Sequence, residues 1–307
     1  MLNRQIKINT YKNKNQIFLI IKIEYSKIIQ MKILHKTIFF IALIYFLFKL
    51  HEINTIYFND KISVIIPTYN RGKYIIESLI SVLKQTYHNL EIIVIDDFST
   101  DNTEFLISQF KDDRIIYIKL KENKGANFAR NLGIEMATGN YITFQDSDDI
   151  YHLDKIEKQF RNIIKKNSDF DFCEICFHFN SSFKVIFPRR YQQKKIMRKQ
   201  ILEELCNGNF ISTQSIMIKS SLIKNNLFDI NFPRLQDYDL VLRIIPNCKV
   251  SFSKEVLVDL YRKEDSIGHS IEKLNQSFYL LSLKKYNINC PKDSFLLSPL
   301  KSQLYEL

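Results

Sequence analysis

The sequence predicts an α/β protein built on a mostly parallel sheet, and three observations support this prediction. From residue 61 onward, short apolar runs of strand length alternate with segments whose apolar residues recur at helical spacing. Such alternation is typical of right-handed βαβ units. Acidic residues directly follow two of the apolar runs, where ligands of open α/β sheets bind. Three of the six glycines, Gly125, Gly133 and Gly139, precede the fourth strand, so we expect backbone requirements there, such as a ligand's close approach.

The individual elements can be assigned in order along the chain. Four strands are predicted first, at 62–66, 91–96, 115–118 and 141–145. The helices between them are predicted at 73–86, 102–110 and 126–137. Pro67 is expected to end the first strand. After residue 150 the pattern loosens into a smaller mixed sheet, with helices at 154–166 and 239–245 and strands at 170–179, 210–218 and 255–261.

The charge distribution divides the chain into regions. The net charge is +11, and residues 1–60 hold nine Lys and Arg against three acidic residues, which leaves +5 for the remainder. The excess lies outside the predicted folded body, so the sequence argues against a nucleic-acid partner. We expect a basic leader over 1–60, the α/β domain over 61–265 and a peripheral helix with a tail over 266–307.

Two segments could contact a membrane or an anionic acceptor. Residues 38–48 form an uncharged run of eleven, whereas a spanning helix needs about 20 apolar residues. A short membrane anchor or interfacial helix and an extension without defined structure both remain open for this leader. The basic run 188–199 contains no acid. It is either a solvated surface or a surface for anionic lipid or an anionic acceptor.

The five cysteines are Cys173, Cys176, Cys206, Cys248 and Cys290. The single CxxC lies in a predicted strand, where alternation places its two cysteines on opposite faces. A zinc or redox role for that pair is therefore disfavoured, and the cysteine pattern does not require an oxidising compartment.

The most specific chemical signal is Gln145-Asp146-Ser147-Asp148-Asp149, which follows the fourth strand. Three carboxylates in four positions repel one another. Mg²⁺ and Mn²⁺ prefer such oxygen ligands and commonly bind one or two carboxylates together with substrate phosphates. A divalent cation would therefore relieve the repulsion, although an acidic turn before a helix is the alternative for these residues alone.

Five blocks in fixed order resemble the family 2 glycosyltransferases of the GT-A fold. The blocks are 63–71 (SVIIPTYNR), 91–101 (EIIVIDDFSTD), 123–131 (NKGANFARN), 139–149 (GNYITFQDSDD) and 235–243 (LQDYDLVLR). The resemblance covers about residues 61–262 and implies a Rossmann-like, mostly parallel sheet flanked by helices, with a smaller mixed sheet on the acceptor side.

The resemblance also implies a role for individual residues. Pro67, Tyr69 and Asp97 match positions that hold the nucleotide base, and Gly125 belongs with them in the donor site. Arg71 and Arg130 would lie near the ribose or phosphates. Asp148 matches the metal-binding residue, with Asp146 helping it or holding the nucleotide sugar, and Asp237 matches the general base. Gln236, where the family often has Glu, and Gln145, where an apolar residue is usual, depart from the pattern.

The implied activity is metal-dependent, inverting transfer of a sugar from a nucleoside-diphosphate donor, with a UDP-sugar favoured, to a hydroxyl of a glycan or glycolipid. Mn²⁺ or Mg²⁺ is the expected cofactor. Transfer to a polyprenyl phosphate and a nucleotide-sugar-binding protein without turnover are the alternatives. We expect a cytoplasmic catalytic body, held to a membrane surface at most through residues 31–50.

Overall fold

The α/β prediction is confirmed by a computed structural model of the chain. The structure describes residues 22, 26, 30–46, 59–179, 184–188, 198–261, 270–288 and 290. The chain divides into two units, Met1–Asn59 and Asp60–Leu307.

The four predicted parallel strands form one part of the sheet of the second unit. They are β1 (Ile62–Thr68), β2 (Leu90–Asp96), β3 (Ile115–Lys119) and β4 (Tyr141–Phe144), in the spatial order β3-β2-β1-β4. All seven residues of β1 and of β2 are buried, because helices cover both faces of a parallel sheet. β1 continues to Thr68, one residue beyond Pro67. β4 pairs with β1 only as far as Ile65, so Pro67 lies where that side of β1 is no longer paired with β4.

The remaining strands extend the same sheet in mixed orientation. They are β5 (Ile150–Tyr151), β6 (Phe170–His178), β7 (Lys184–Phe187), β8 (Ile216–Lys219) and β9 (Val250–Tyr261). β8 joins the two parts by pairing antiparallel with both β4 and β6, and the order continues as β8-β6-β9-β5. β6 and β9 run parallel, while β7 pairs antiparallel with β6.

The helices of the second unit are α1 (Ile75–Leu83), α2 (Thr103–Ser108), α3 (Ala126–Met136), α4 (Lys155–Lys166), α5 (Arg198–Leu205), α6 (Ser220–Ile223), α7 (Gln236–Ile244) and α8 (Ile271–Leu283). α4 shows how they form. Ile156, Phe160 and Ile163 repeat at helical spacing and are buried against the sheet. Asn167 in the left-handed conformation ends this helix.

Three predicted boundaries were wrong in the mixed part. The strand predicted at 210–218 is only β8, since Thr213–Ser215 forms a 3-10 turn before it. β9 begins at Val250 rather than 255, because its first residues pair with the start of β6. α7 begins at Gln236 rather than 239, because Leu235 has φ 56° and reverses the chain there.

A disulfide that the sequence did not predict joins Cys206 to Cys290, with the two Cα atoms 5.5 Å apart. It connects the end of α5 to the residues after α8. Cys173, Cys176 and Cys248 are buried free thiols.

In the first unit, residues 30–46 are helical. Within the described part of the chain, no helix combines the length and the apolar character that crossing a membrane requires. Residues 47 and 48 of the predicted apolar run lie outside the described residues, as does most of the basic run 188–199.

Candidate functional site

The predicted acidic groups converge at the carboxyl end of the parallel strands. Asp96 is the last residue of β2 and Asp97 follows it, and Asp146, Asp148 and Asp149 follow β4. β1 lies between these two strands in the sheet. The residues after β1 therefore enter the space between both acidic groups, as expected for a crevice at the carboxyl ends of an open α/β sheet.

Asp146 is held by two polar side chains. Arg130 donates from its guanidinium to Asp146 Oδ1 at 2.7 Å, and Gln214 donates from Nε2 to Asp146 Oδ2 at 2.5 Å. Arg130 is 3 % exposed, and its Nε atom has no hydrogen-bond partner among the described residues. A buried donor without a partner is costly, so this guanidinium has capacity for a further acceptor.

The Asp148 carboxylate lies near a different cationic side chain, that of Arg71. Its Oδ2 lies 3.5 Å from Arg71 Nε, and both side chains are about one-fifth exposed. Asp148 also borders a cavity of about 170 Å³ together with Tyr74, Glu77, Ile150 and Tyr261. The carboxylate is therefore within reach of a ligand from solvent, unlike its neighbour Asp149.

Asp149 is a buried member of the acidic group. Its Oδ1 accepts from the backbone N–H of Tyr261 at 3.1 Å, and its Oδ2 accepts from Gln214 Nε2 at 2.8 Å. Burial, followed by the charges of Asp148 and Asp146, raises the pKa of Asp149 well above its usual range. Gln214 thus bridges Asp149 to Asp146 and places an amide donor between two carboxylates.

Asp97 is buried beside the start of α3. Its two oxygens accept from the backbone N–H groups of Lys124 and Gly125, each at 2.7 Å. Burial raises the pKa of Asp97, and these two hydrogen bonds only partly offset it. Each carboxylate oxygen can accept a second hydrogen bond, so the predicted contact with a nucleotide base is chemically compatible with this arrangement.

The segment after β1 is fixed by hydrogen bonds while one aromatic ring stays exposed. Asn70 Oδ1 accepts from the N–H of Thr100 at 2.8 Å, and the N–H of Arg71 donates to Thr103 Oγ1 at 3.0 Å. Asn70 has φ 50°, a conformation that asparagine tolerates. The preceding Tyr69 is 44 % exposed, so its ring is available for stacking.

Asp237 lies in the first turn of α7, where a carboxylate is favoured by the helix dipole. Its Oδ1 accepts from the N–H of Tyr238 at 2.8 Å. Burial raises the pKa of Asp237 to about 6, against lowering by that hydrogen bond and by Arg130. A carboxylate with this pKa can accept a proton near neutral pH. The charges of Arg130 and Asp146 both act on it, so Asp237 belongs to the same electrostatic cluster.

The three glycines before β4 meet different requirements. Gly125 has φ 89°, and a Cβ there would meet no atom within 4 Å, so its backbone conformation rather than crowding favours glycine. A Cβ on Gly133 would lie 2.6 Å from Ile65, and one on Gly139 would lie 2.7 Å from the Lys61 carbonyl oxygen. These two glycines serve packing within the protein, not the approach of a ligand.

Sequence reasoning missed Gln214 and assigned no role to Asp149. Gln214 lies in a turn outside the five blocks, and no local pattern distinguishes it from other polar residues.

The unusual Gln145 has a structural explanation. It is fully buried and donates to the Asp149 carbonyl oxygen at 2.5 Å and to Ser78 Oγ at 3.1 Å. It therefore holds the acidic turn against α1.

A larger cavity, of about 370 Å³, lies away from the acidic residues that follow β2 and β4. Asp60, Thr138, Gly139 and Tyr141 line it near the amino end of β4. Its position at the opposite edge of the sheet argues against a role in the chemistry of the carboxylates.

Comparisons with known proteins agree on one family. The model for glycosyl transferase family 2 matches residues 63–227. The chain is 32 % identical over 241 residues to UDP-Glc:alpha-D-GlcNAc-diphosphoundecaprenol beta-1,3-glucosyltransferase WfgD of Escherichia coli, covering 72 % of this chain and 91 % of that protein. It is 33 % identical to glycosyltransferase GlyG of Streptococcus pneumoniae, covering 59 % of this chain and 62 % of that one. Uncharacterized Rickettsia glycosyltransferases also match, and this chain spans 64 % and 30 % of two of them.

Solved structures share the fold at lower identity. TarS 1-349 of S. aureus in complex with UDP-GlcNAc superposes with a TM-score of 0.63 and 22 % identity, covering 73 % of this chain and 65 % of that one. The mannosyltransferase PcManGT of Pyrobaculum calidifontis, in complex with GDP-Man and Mn²⁺, gives a TM-score of 0.56 at 18 % identity, covering 74 % and 65 %. These likenesses confirm the predicted fold. The chain belongs to glycosyl transferase family 2 and is a glycosyltransferase with the GT-A fold.

Proposed function

We propose that this enzyme transfers a sugar, with inversion and with a divalent cation, from a UDP-sugar to a hydroxyl of a glycan or glycolipid. The observation that carries the proposal is the cluster in which Arg130 contacts Asp146 and acts electrostatically on Asp237. Arg130, a buried cation, thus interacts with Asp146 on the donor side and with Asp237, a carboxylate able to act as a base.

The residues of the acidic turn fit Mn²⁺ or Mg²⁺. Asp146 and Asp148 offer only oxygen ligands, which both ions prefer, and Asp148 borders an open cavity. Asp148 would hold the ion with help from Asp146. When bound, the cation would supply positive charge to the diphosphate as it leaves.

Several residues would bind and orient the donor. The exposed ring of Tyr69 is available to stack on the base, beside Pro67 at the end of β1. Asp97 keeps free acceptor capacity for the base, on a backbone shaped by Gly125. Arg71 and the unpartnered Nε of Arg130 would bind ribose or phosphate oxygens.

Asp237 would act as the general base. With a pKa of about 6 it is ionised at neutral pH, yet basic enough to take the acceptor hydroxyl proton as that oxygen attacks the anomeric carbon. A single displacement on the face opposite the departing diphosphate inverts the configuration, so an α-linked donor gives a β-linked product.

The relatives support both the donor class and the acceptor class. The WfgD name specifies UDP-Glc and a sugar carried on diphosphoundecaprenol, and TarS is solved with UDP-GlcNAc. By analogy, a sugar hydroxyl on a lipid carrier is the acceptor that we propose first.

The N-terminal helix supplies a reason to expect a lipid-bound acceptor. Within residues 30–46, Phe39 is 71 % exposed, Phe40 62 %, Ile41 61 % and Tyr45 63 %. Such exposed apolar residues are costly in water and favour a membrane surface. Full-length protein should sediment with anionic vesicles, whereas a variant lacking residues 1–58 should stay in the supernatant and retain transfer activity.

A donor screen followed by product analysis tests the proposed reaction. Nucleotide sugars are first screened by saturation-transfer NMR, and bound donors are then incubated with Mn²⁺ and lipid-linked glycan acceptors. The anomeric coupling of the product should show inversion. A retained configuration would contradict a single displacement, while a new sugar–phosphate bond would show that a polyprenyl phosphate is the acceptor.

A further inference from the structure

A second group of potential metal ligands lies at the junction of β5, β6 and β9, apart from the carboxylates after β4. Cys176 and His178 are two residues apart in β6 and therefore project to the same face. Asp259 of β9 is the register partner of Cys176. The three ligand atoms, one each from thiol, imidazole and carboxylate, lie within 4.8 Å of one another.

Local contacts orient these groups toward a common point. His178 Nε2 lies 2.7 Å from Asp259 Oδ1, and His152 Nε2 lies 2.9 Å from Asp259 Oδ2. The ring of His178 also stacks on Tyr261, with centroids 4.7 Å apart. Asp259 is therefore bonded on both oxygens, one facing the possible ligand His178 and the other held by His152.

The donor set selects a particular class of metal. Zinc is bound by thiolate, imidazole and carboxylate at about 2.0–2.3 Å in tetrahedral geometry, which separates neighbouring ligand atoms by about 3.2–3.8 Å. The observed atoms reach that spacing through small side-chain movements, such as an opening of the His178–Asp259 contact by about 0.6 Å. The all-oxygen group of Asp146 and Asp148 instead suits Mg²⁺ or Mn²⁺.

Burial and access are suitable for binding. Cys176 is 5 % exposed, whereas the side chains of His178 and Asp259 are 24 % and 23 % exposed. A metal ion could enter from the side of the histidine and carboxylate, while the thiol supplies a ligand from the interior. Three protein ligands leave the fourth tetrahedral position for water.

We propose that Cys176, His178 and Asp259 form a zinc-binding site separate from the donor site, with His152 orienting Asp259 through its second oxygen. In the metal-bound form Cys176 is a thiolate and His178 is a neutral imidazole with its proton on the ring nitrogen that does not bind the metal, so binding releases the thiol proton to solvent. Cys173, the other cysteine of the CxxC sequence, is not among these three residues.

Occupancy would stabilise the end of β9. Tyr261 stacks on His178 and donates its backbone N–H to Asp149, so the metal would fix strands that support the acidic turn. Metal binding would therefore mainly raise the stability of the folded protein, and it would affect sugar transfer only through Asp149.

Cobalt substitution in the untagged full-length protein tests the proposal. Co²⁺ at this site should give a thiolate-to-cobalt charge-transfer absorption, and oxygen ligands alone cannot produce it. Cys176→Ser should abolish that band, and His178→Gln should weaken Co²⁺ binding at least about tenfold. His152→Ala should weaken it by about 10- to 100-fold, as expected for a group that orients a ligand.

Cys173→Ser is the matched control, because Cys173 is also a buried free thiol of β6 and should leave the band intact. Mn²⁺-dependent UDP binding should be unchanged in Cys176→Ser, which separates this site from the donor site. Circular dichroism shows whether each variant is folded. If Cys176→Ser does not fold, the loss of Co²⁺ binding in His178→Gln tests the proposal instead. Absence of the band in the native chain, or its survival in folded Cys176→Ser, would overturn the proposal.

Discussion

Arg130 lies 2.7 Å from Asp146 Oδ1, although the two residues come from different elements, helix α3 and the turn after β4. The same guanidinium lowers the pKa of Asp237 against the effect of burial. The buried guanidinium of Arg130 therefore acts on Asp146, which is proposed to lie on the donor side, and on Asp237, the proposed general base. Substitutions of the two carboxylates should nevertheless have separable effects, because each is proposed to bind a different partner.

Asp237→Asn should reduce transfer at least about 100-fold while donor binding is kept, because the amide cannot accept the acceptor proton. Calorimetric titration with UDP and a product assay with the same preparation measure the two effects. Asp113→Asn, an exposed change after α2, is the control and should alter neither. Near-native transfer by Asp237→Asn would remove Asp237 from the mechanism.

The pH dependence of transfer should follow the ionisation of Asp237. Its raised pKa predicts that kcat/KM falls by about tenfold per pH unit below about pH 6. The same shift means that burying the ionised carboxylate costs stability above pH 6, and that the cost disappears below its ordinary pKa of 3.8. Thermal unfolding of Asp237→Asn should therefore show a higher Tm than the native chain at pH 7, with the difference vanishing in acid.

Asp148→Ala should abolish the enhancement of UDP binding by Mn²⁺ or Mg²⁺ and leave the fold intact. The side chain is about one-fifth exposed and borders the cavity, where its Oδ2 contacts Arg71, so its truncation opens no enclosed void in the core. Calorimetry with and without metal measures the effect. Equal metal enhancement in the variant and the native chain would contradict this assignment.

Gln214→Glu should weaken donor binding about tenfold or more and lower the Tm. The change keeps the shape but replaces an amide donor with a third carboxylate between Asp146 and Asp149. Gln159→Glu is the matched control, because Gln159 is a buried amide that donates to Asp171 and to the Ser215 carbonyl oxygen but to none of Asp146, Asp148 and Asp149. It should lower the Tm without changing the donor affinity of the folded fraction, and an equal loss of affinity in both variants would contradict a specific role for Gln214.

Glu91→Gln should destabilise the sheet at its amino edge. Burial alone would raise the pKa of Glu91, but hydrogen bonds from Ser63, Thr138 and Lys61 outweigh it and lower the pKa to about 2. The ionised form therefore contributes up to about 3 kcal/mol above its ordinary pKa of 4.5, and this contribution is lost as the pH falls toward 2. Urea unfolding at pH 7 and pH 3 should show a smaller difference between variant and native chain at the lower pH.

The sequence allowed prediction of those parts of the site that depend on local signals. The apolar runs of β1 and β2 are buried on both faces, so their hydrophobic pattern was unambiguous. The predicted strand ends then gave the positions of Asp97 and Asp148 at the carboxyl end of the sheet. The position of Gln214 depends instead on the antiparallel pairing of β8 with β4, across about 70 residues of chain. The start of α7 depends on the left-handed Leu235, a residue without an intrinsic preference for that conformation.

The Cys206–Cys290 disulfide closes a covalent ring that contains two of the five strands in the mixed part of the sheet. β8, β9 and the helix that carries Asp237 all lie on the chain between these two cysteines. A protease that cuts once anywhere within that stretch would therefore leave two fragments still joined. Such a nicked enzyme would run as one species on a non-reducing gel and as two after reduction. Asp237 and the acidic residues that follow β4 would therefore stay in the same molecule after the cut.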